Sequence, residues 1–315
     1  MSTRHLLDLT ELSPCELRQL LRIAAGLKAE VKAGHCRPIL GGRTVALLFQ
    51  KPSLRTRVSF DVGMAQLGGR AVYLSPEEVG LGTRESIPDV ARVLSRFVDA
   101  IVARTFEHRV VEELAAFSTI PVINGLSDFA HPCQALADFL TIEEKLGRVE
   151  GARIAYIGDG NNVANSLLIG GAMLGASVVV ASPDGYRPAR RLIEQAEAIA
   201  ATTGGRVEVT SSPAAAARDA DVVYTDVWTS MGQEQETEIR LRDFQGYQVT
   251  SELVALAKPG AIVMHDLPAH RGEEITAEVL DGPRSVAFDQ AENRMHGQKA
   301  ALVLLLGQDP FRERR

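Results

Sequence analysis

Cysteine is scarce: three residues in 315, Cys15, Cys36 and Cys133, odd in number and widely spaced. No disulfide framework, redox motif or metal-ligand spacing can be built from them, so a reducing cytosol is the simplest home. Long apolar runs are also missing. The longest, near Ala300 to Leu306, is a core-sized patch, well short of the roughly 20 residues that span a bilayer. Met1 to His5 carries no apolar signal region, so a cytoplasmic protein is expected. There is no internal repeat, low-complexity segment or charge block. Positive charge is in slight deficit, 34 basic against 40 acidic side chains, which argues against a nucleic-acid surface.

What is present is a long alternation of apolar runs and helical patterns, the mark of parallel α/β architecture. The chain is organised around Lys51-Pro52-Ser53-Leu54-Arg55-Thr56-Arg57. It follows the run Thr44 to Phe49, which reads as a buried strand, and precedes Val58 to Leu67, which reads as a helix. A loop that leaves a strand and opens a helix offers free N–H groups and the positive end of a helix dipole. With two arginines and two hydroxyls added, the site suits a phosphate; a solvated basic turn is the alternative. Ser13-Pro14-Cys15-Glu16 is a capping box that opens a packing helix. Arg104 ends the strand Ala100 to Ala103, where ligands bind in open α/β sheets, although a strand-end salt bridge would also explain it. His131 precedes the helix Ala135 to Leu146 and reads equally as a cap or a catalyst.

Gly147 to Gly151 reads as a domain boundary, after which the alternation restarts. Strands are expected at Arg153 to Ile157, Val178 to Val180, Val207 to Val209, Val222 to Tyr224, Ala261 to Met264 and Ser285 to Phe288, before a last helix from Ala291. Gly158-Asp159-Gly160 imitates a dinucleotide fingerprint, but Val163 occupies its third small position and no acidic residue ends the next strand. Asn161 and Asn162 at the helix start look instead like donors for a small carboxylate.

Taken in order, Ser53 to Arg57, Arg104, His131 to Gln134, Asn161-Asn162, Asp226 to Gly232, His265 to Pro268 and Arg294 resemble the motifs of the aspartate/ornithine carbamoyltransferase family, from the first helix to the last. The segment Asp226-Val227-Trp228-Thr229-Ser230-Met231-Gly232 is similar to the ornithine-type members in particular. The resemblance implies an α/β fold of two domains, each a parallel sheet with helices on both faces, and an active site in the cleft between them. The implied domains are 1–147 plus 292–315 for carbamoyl phosphate and 148–291 for L-ornithine. The implied activity is transfer of the carbamoyl group to the δ-amine of L-ornithine, giving L-citrulline and phosphate, with no cofactor and no metal. A homotrimer or a multiple of trimers is implied as well, with no nucleic-acid or membrane partner.

By the same resemblance, Ser53, Leu54, Arg55, Thr56, Arg57 and Arg104 hold the phosphate, and Arg104, His131 and Thr56 act on the carbonyl oxygen. His131, Pro132, Cys133 and Gln134 recognise the carbamoyl group, the Cys133 carbonyl and Gln134 accepting from its NH2, and Arg294 also polarises the carbonyl. Asn162, Asp226, Ser230, Met231, Asp266 and Leu267 surround ornithine; for Met231, core filling is the alternative. Three positions depart from the family pattern. Leu54 stands where Thr is usual and Gly80 where Gln or His is frequent, and Asp266 replaces a cysteine. A carboxylate at position 266 can take a proton from the δ-amine or hold the ammonium charged. Three other readings stay open: a sibling carbamoyltransferase with another amine acceptor, a non-catalytic binding protein of the same fold, and a nicotinamide oxidoreductase, the last disfavoured by Val163.

Overall fold

A computed structural model of the chain describes residues 3–311, so the outermost residues of the expected first domain lie outside it. The chain divides into two compact units, Met1–Leu140 with Glu292–Arg315, and Thr141–Ala291.

The first unit holds a four-stranded parallel sheet of β1 (Thr44–Phe49), β2 (Arg70–Leu74), β3 (Ala100–Arg104) and β4 (Val122–Leu126), in the order β2-β1-β3-β4. Parallel neighbours need crossovers, and the helices Leu54–Gln66, Ile87–Phe97 and His108–Phe117 supply them. Because helices cover the sheet, its central strands are apolar at nearly every position rather than at alternate ones: Val45 to Phe49 and Ala100 to Ala103 are all buried. The helix Pro14–Lys32 starts at the expected capping box, with Ser13 and Glu16 bonded reciprocally and Pro14 at the first position.

The second unit holds a five-stranded parallel sheet of β5 (Arg153–Ile157), β6 (Ser177–Ala181), β7 (Arg206–Thr210), β8 (Val222–Thr225) and β9 (Ile262–His265), in the order β7-β6-β5-β8-β9. One expected element is corrected. Residues 285–288 form no strand: Ser285 makes only an isolated bridge to Val263, and the last helix already starts at Ala287. Val263 N–H donates to the Arg284 carbonyl at 2.8 Å and Val286 N–H to the Val263 carbonyl at 2.9 Å; Gln290 N–H then donates to Val286, which commits the chain to helical geometry. A run of three apolar residues, Val286 to Phe288, cannot separate these outcomes by its own pattern.

The helix Ala287–Leu305 carries a buried histidine with a consequence for stability. Burial first, then Lys299, Lys28 and Lys32, push the pKa of His296 down to about 3. The folded chain therefore keeps His296 neutral where the unfolded chain protonates it. Stability present above pH 6.5 is lost as the pH falls from there toward 3, at about 1.4 kcal/mol per pH unit. Urea denaturation at pH 7 and pH 5 should show His296→Gln losing about 2 kcal/mol less than the parent over that interval. Equal losses would remove His296 from the acid limb.

Candidate active site

In the first sheet the chain runs from β1 outward to β2 on one side and to β3 and β4 on the other. The carboxyl ends of β1 and β3 thus flank the point where strand order reverses, the place where open α/β sheets bind ligands. Phe49 and Arg104 end these two strands as direct partners, and Gln50 N–H donates to the Arg104 carbonyl at 2.8 Å. The stretch after β1 is less a loop than expected. Ser53 is the N-cap, its Oγ accepting from Thr56 N–H at 3.3 Å, and Leu54 to Arg57 are already the first helical turn. That turn sorts the side chains. Thr56 is fully buried, Arg55 half-buried, and Leu54 is 77 % exposed. Arg57, a further 100° round the helix, is exposed and its guanidinium lies 3.9 Å from the centre of the Tyr73 ring.

Thr56 Oγ1 accepts from Ser53 Oγ at 3.1 Å and from Arg294 Nη2 at 2.8 Å. An oxygen that accepts twice keeps its own proton to donate. His131 is buried beside this group. Its pKa is held well below the ordinary value, first by burial and then by Arg294, Arg104, Lys51 and Arg55. Four cations thus act on one neutral imidazole. His131 also precedes the helix Pro132–Leu146, and its carbonyl accepts from Gln134 N–H at 3.0 Å. Gln134 is fully buried: its Nε2 donates to Asp138 at 2.8 Å, and its Oε1 is left without a partner. Cys133 is a packed thiol rather than a nucleophile. Burial pushes its pKa up to about 12 against the pull of Arg294, and it points at the Asn124 carbonyl at 3.6 Å.

The second sheet reverses between β5 and β8. Asn161 caps the helix Asn162–Leu174, its Oδ1 accepting from Val163 and Ala164 N–H, while its Nδ2 donates to Asp226 at 2.7 Å. Asn161 is therefore committed to holding the turn, and Asn162 follows as the first helical residue. Asp226 is buried just beyond β8 and accepts from Val227 N–H at 2.7 Å through its other oxygen. Ser230 is half-buried, with its N–H on Gln233, and Met231 is 47 % exposed, which excludes core filling. Asp266 is buried just past β9 and Leu267 follows at φ 60°, a left-handed backbone that a branched residue adopts only under constraint. The Tyr156 hydroxyl donates to Asn161 at 3.2 Å. Its pKa is driven well above 10 by burial and then by Asp226, Asp159 and Asp266.

Side chains able to bind a metal do come together, although their sequence spacing shows no ligand motif. Donor atoms of Asp226, His265 and Asp266 lie within 4.8 Å of one another, as do those of His270, Glu273 and Glu274. The first set does not suit a cation that needs imidazole. His265 Nδ1 accepts from Leu267 N–H at 2.9 Å and its Nε2 faces Glu274 at 3.0 Å, so its lone pair is taken and its proton points away. For the same reason its 3.6 Å approach to Asp266 is no ion pair. In the second set, Glu274 Oε1 is shared by His265 and by His270 N–H.

Several contributors escape a reading of the sequence. Lys51 is buried, with its ammonium 4.7 Å from the Phe106 ring centre, and joins the cations around His131. Asp138 orients Gln134, and Glu274 fixes His265. Lys51 lies inside the basic stretch and was within reach; the two acids are recognisable only once the helices are in place.

Both the sequence and the fold are similar to those of known proteins. Residues 4–144 match the carbamoyl-P binding domain of aspartate/ornithine carbamoyltransferases, and residues 150–305 match their Asp/Orn binding domain. Ornithine carbamoyltransferase of Acidothermus cellulolyticus is 57 % identical over 303 residues, 96 % of each chain. The anabolic ornithine carbamoyltransferase of Pyrococcus furiosus is 54 % identical over 307 residues, 98 % of each chain. The solved structure of ornithine carbamoyltransferase from Pyrococcus furiosus superposes with a TM-score of 0.94, covering 97 % of this chain and 98 % of that one at 54 % identity. With both domain models matched along nearly the whole chain, this protein belongs to the aspartate/ornithine carbamoyltransferase family.

Proposed function

We propose that the protein transfers the carbamoyl group from carbamoyl phosphate to the δ-amine of L-ornithine, giving L-citrulline and phosphate in the direction of arginine synthesis. The observation that carries this reading is the set of four cations around neutral His131, with an open acceptor at Gln134. A phosphate dianion needs the cations, and a carbamoyl NH2 needs the acceptor. The names of the relatives support ornithine as the acceptor.

In this reading Ser53, Arg55, Thr56 and Arg104 hold the phosphate, with the N–H groups of the helix start, Leu54 included. Arg57, turned onto Tyr73, supports the turn. The δ-nitrogen attacks the carbamoyl carbon, negative charge grows on its oxygen, and the C–O bond to phosphate breaks. Thr56, His131, Arg104 and Arg294 donate to that oxygen; one such donor is worth about 3 kcal/mol in a preorganised site. The carbonyl of Cys133, next to Pro132, and the Oε1 of Gln134 accept from the NH2. Asn162, Asp226, Ser230, Met231 and Leu267 surround ornithine, Asp226 supplying the charge an ammonium needs, and Asp266 takes the proton released from the δ-nitrogen. No cofactor or metal enters these steps. Residues 1–147 with 292–315 serve carbamoyl phosphate and 148–291 serve ornithine.

We place the enzyme in the cytoplasm, a reading supported by free Cys15 and Cys36 on the surface and by the lack, among the described residues, of any helix long and apolar enough to cross a membrane. We also propose a homotrimer or a multiple of trimers. Leu54, Val58 and Val62 recur every fourth residue on the helix Leu54–Gln66 and are all exposed, an apolar stripe suited to a second copy. Val58→Asp with Val62→Asp should reduce the mass in light scattering to that of one chain; an unchanged mass would put the interface elsewhere.

The deciding assay is product formation from carbamoyl phosphate with L-ornithine, putrescine, N-acetylornithine and L-aspartate side by side. Turnover with ornithine alone is expected. Preference for another amine would overturn the second-unit assignments and leave the phosphate site standing.

A further inference from the structure

The second group of metal-binding side chains, His270, Glu273 and Glu274, has no part in the reaction proposed above. All three lie on the turn that follows Asp266 and Leu267, and their ligand atoms are within 4.8 Å of one another. His270 Nδ1 stands 3.6 Å from Glu273 Oε2. Two ligands held tetrahedrally by one zinc ion, at about 2.1 Å each, are separated by about 3.4 Å. The pair therefore already spans one edge of such a site.

A solvated ion pair between a charged imidazole and Glu273 would explain that approach, since the two side chains are 48 % and 40 % exposed. It would not explain Glu274, which is fully buried. Its Oε1 is taken twice, accepting from His265 Nε2 at 3.0 Å and from His270 N–H at 2.6 Å. Its Oε2 is buried with no donor. A carboxylate oxygen left bare in the interior costs free energy, and a bound cation or water is the ordinary way to satisfy it. The guanidinium next in sequence does not do so: Arg271 is turned to Asp281, its Nε and Nη2 donating to the two carboxylate oxygens at 3.0 and 2.7 Å. The turn is also held without an ion. Gln248 Nε2 donates to the Gly272 and Glu273 carbonyls at 2.7 Å each, and Glu273 N–H donates to the His270 carbonyl at 2.9 Å.

We propose that His270, Glu273 and Glu274 bind one divalent transition ion of the zinc type, with water completing its shell. One imidazole and two carboxylates suit zinc, whereas magnesium and calcium take oxygen ligands. The exposed sides of His270 and Glu273 give the ion its way in, and Glu274 supplies the inner ligand. The ion takes no part in carbamoyl transfer. It fastens the turn, because Glu274 also holds His265, whose Nδ1 accepts from Leu267 N–H at 2.9 Å. An ion that binds only the folded chain raises its stability.

The test is calorimetric titration of the full chain, first freed of metal by a chelator, with Zn2+ at neutral pH. Melting temperatures are measured with and without the ion, and the parent is compared with His270→Ala, Glu273→Gln and Asp266→Asn. The parent should take up about one Zn2+ per chain and melt at a higher temperature with it. His270→Ala and Glu273→Gln change partly exposed side chains and should fold; each should weaken binding about tenfold or more and remove the thermal shift. Asp266→Asn, which removes a ligand of the other group, should bind Zn2+ as the parent does. No uptake by the parent, or uptake unchanged in both His270→Ala and Glu273→Gln, would overturn the proposal. Loss of uptake in Asp266→Asn alone would move the ion to Asp226, His265 and Asp266 and overturn it equally. An equal thermal shift with Mg2+ would overturn the assignment to a zinc-type ion.

Discussion

Replacing Arg294 with leucine should lower kcat for carbamoyl transfer by about 10²- to 10³-fold, the range seen when one preorganised oxyanion donor is removed. Arg294 arrives on the last helix and donates to Thr56 Oγ1 at 2.8 Å across 238 residues of sequence. That bond leaves the threonine proton pointing outward, so the variant loses the arginine and misdirects the hydroxyl as well. Arg294 is also the foremost charge holding His131 neutral, second only to burial. Its removal should move the His131 pKa upward, though burial still keeps it below 6.5. Proton NMR of the imidazole would read that shift directly. KM for ornithine should change little, because every contact named is in the first unit. Arg294→Gln, which can still donate to Thr56 but carries no charge, should fall between the two. Parent-like kcat in Arg294→Leu would remove the residue from the oxyanion site.

How much of this was legible follows from how far apart the interacting residues are. The strand β1 is readable to the residue, because a six-residue apolar run is bounded by polar residues and needs no distant partner. The capping box at Ser13 is equally local. The start of the helix at Leu54 was missed because Pro52 and the two arginines resemble a loop, and only the Ser53–Thr56 bond reveals the cap. Residues 285–288 were misread because two backbone bonds to Val263, not their own pattern, decide their conformation. The pairings that shape the candidate site are the least legible: Asn161 with Asp226 spans 65 residues, and Arg240 with Asp159 spans 81. Resemblance supplied Thr56 and Arg294 as residues, but the bond between them, and with it the direction of the Thr56 proton, required the fold. Glu274 and Asp138 carried no signal, since an acid on a helix or loop is ordinarily solvated.

Asp266 is one of the three positions at which the chain departs from the pattern of the family it resembles, and it gives the sharpest test of the chemistry. Asp266→Asn should lower kcat by about 10²-fold or more, the contribution of a general base, with binding of carbamoyl phosphate intact. The surroundings define what the residue can do. Asp226 spends both oxygens, one on Asn161 and the other on Val227 N–H, and is thereby fixed as an anchor. His265 offers Asp266 no proton, because its Nδ1 accepts from Leu267 and its Nε2 faces Glu274. The Asp266 carboxylate is buried within 4.8 Å of Asp226, an arrangement that draws an ammonium between two acids. In the proposed reaction two acids favour the protonated amine, so the δ-nitrogen becomes a nucleophile only by passing its proton on, and Asp266 is the proposed acceptor. Asp266→Cys separates the two effects. A thiol, with an ordinary pKa near 8.5, removes one negative charge and replaces a weak base by one that ionises only in alkali. The rise of kcat with pH should therefore shift and change shape in Asp266→Cys, and should be lost in Asp266→Asn. If both variants keep the parent's pH profile, Asp266 is outside the proton path, and the released proton leaves through solvent or through the phosphate.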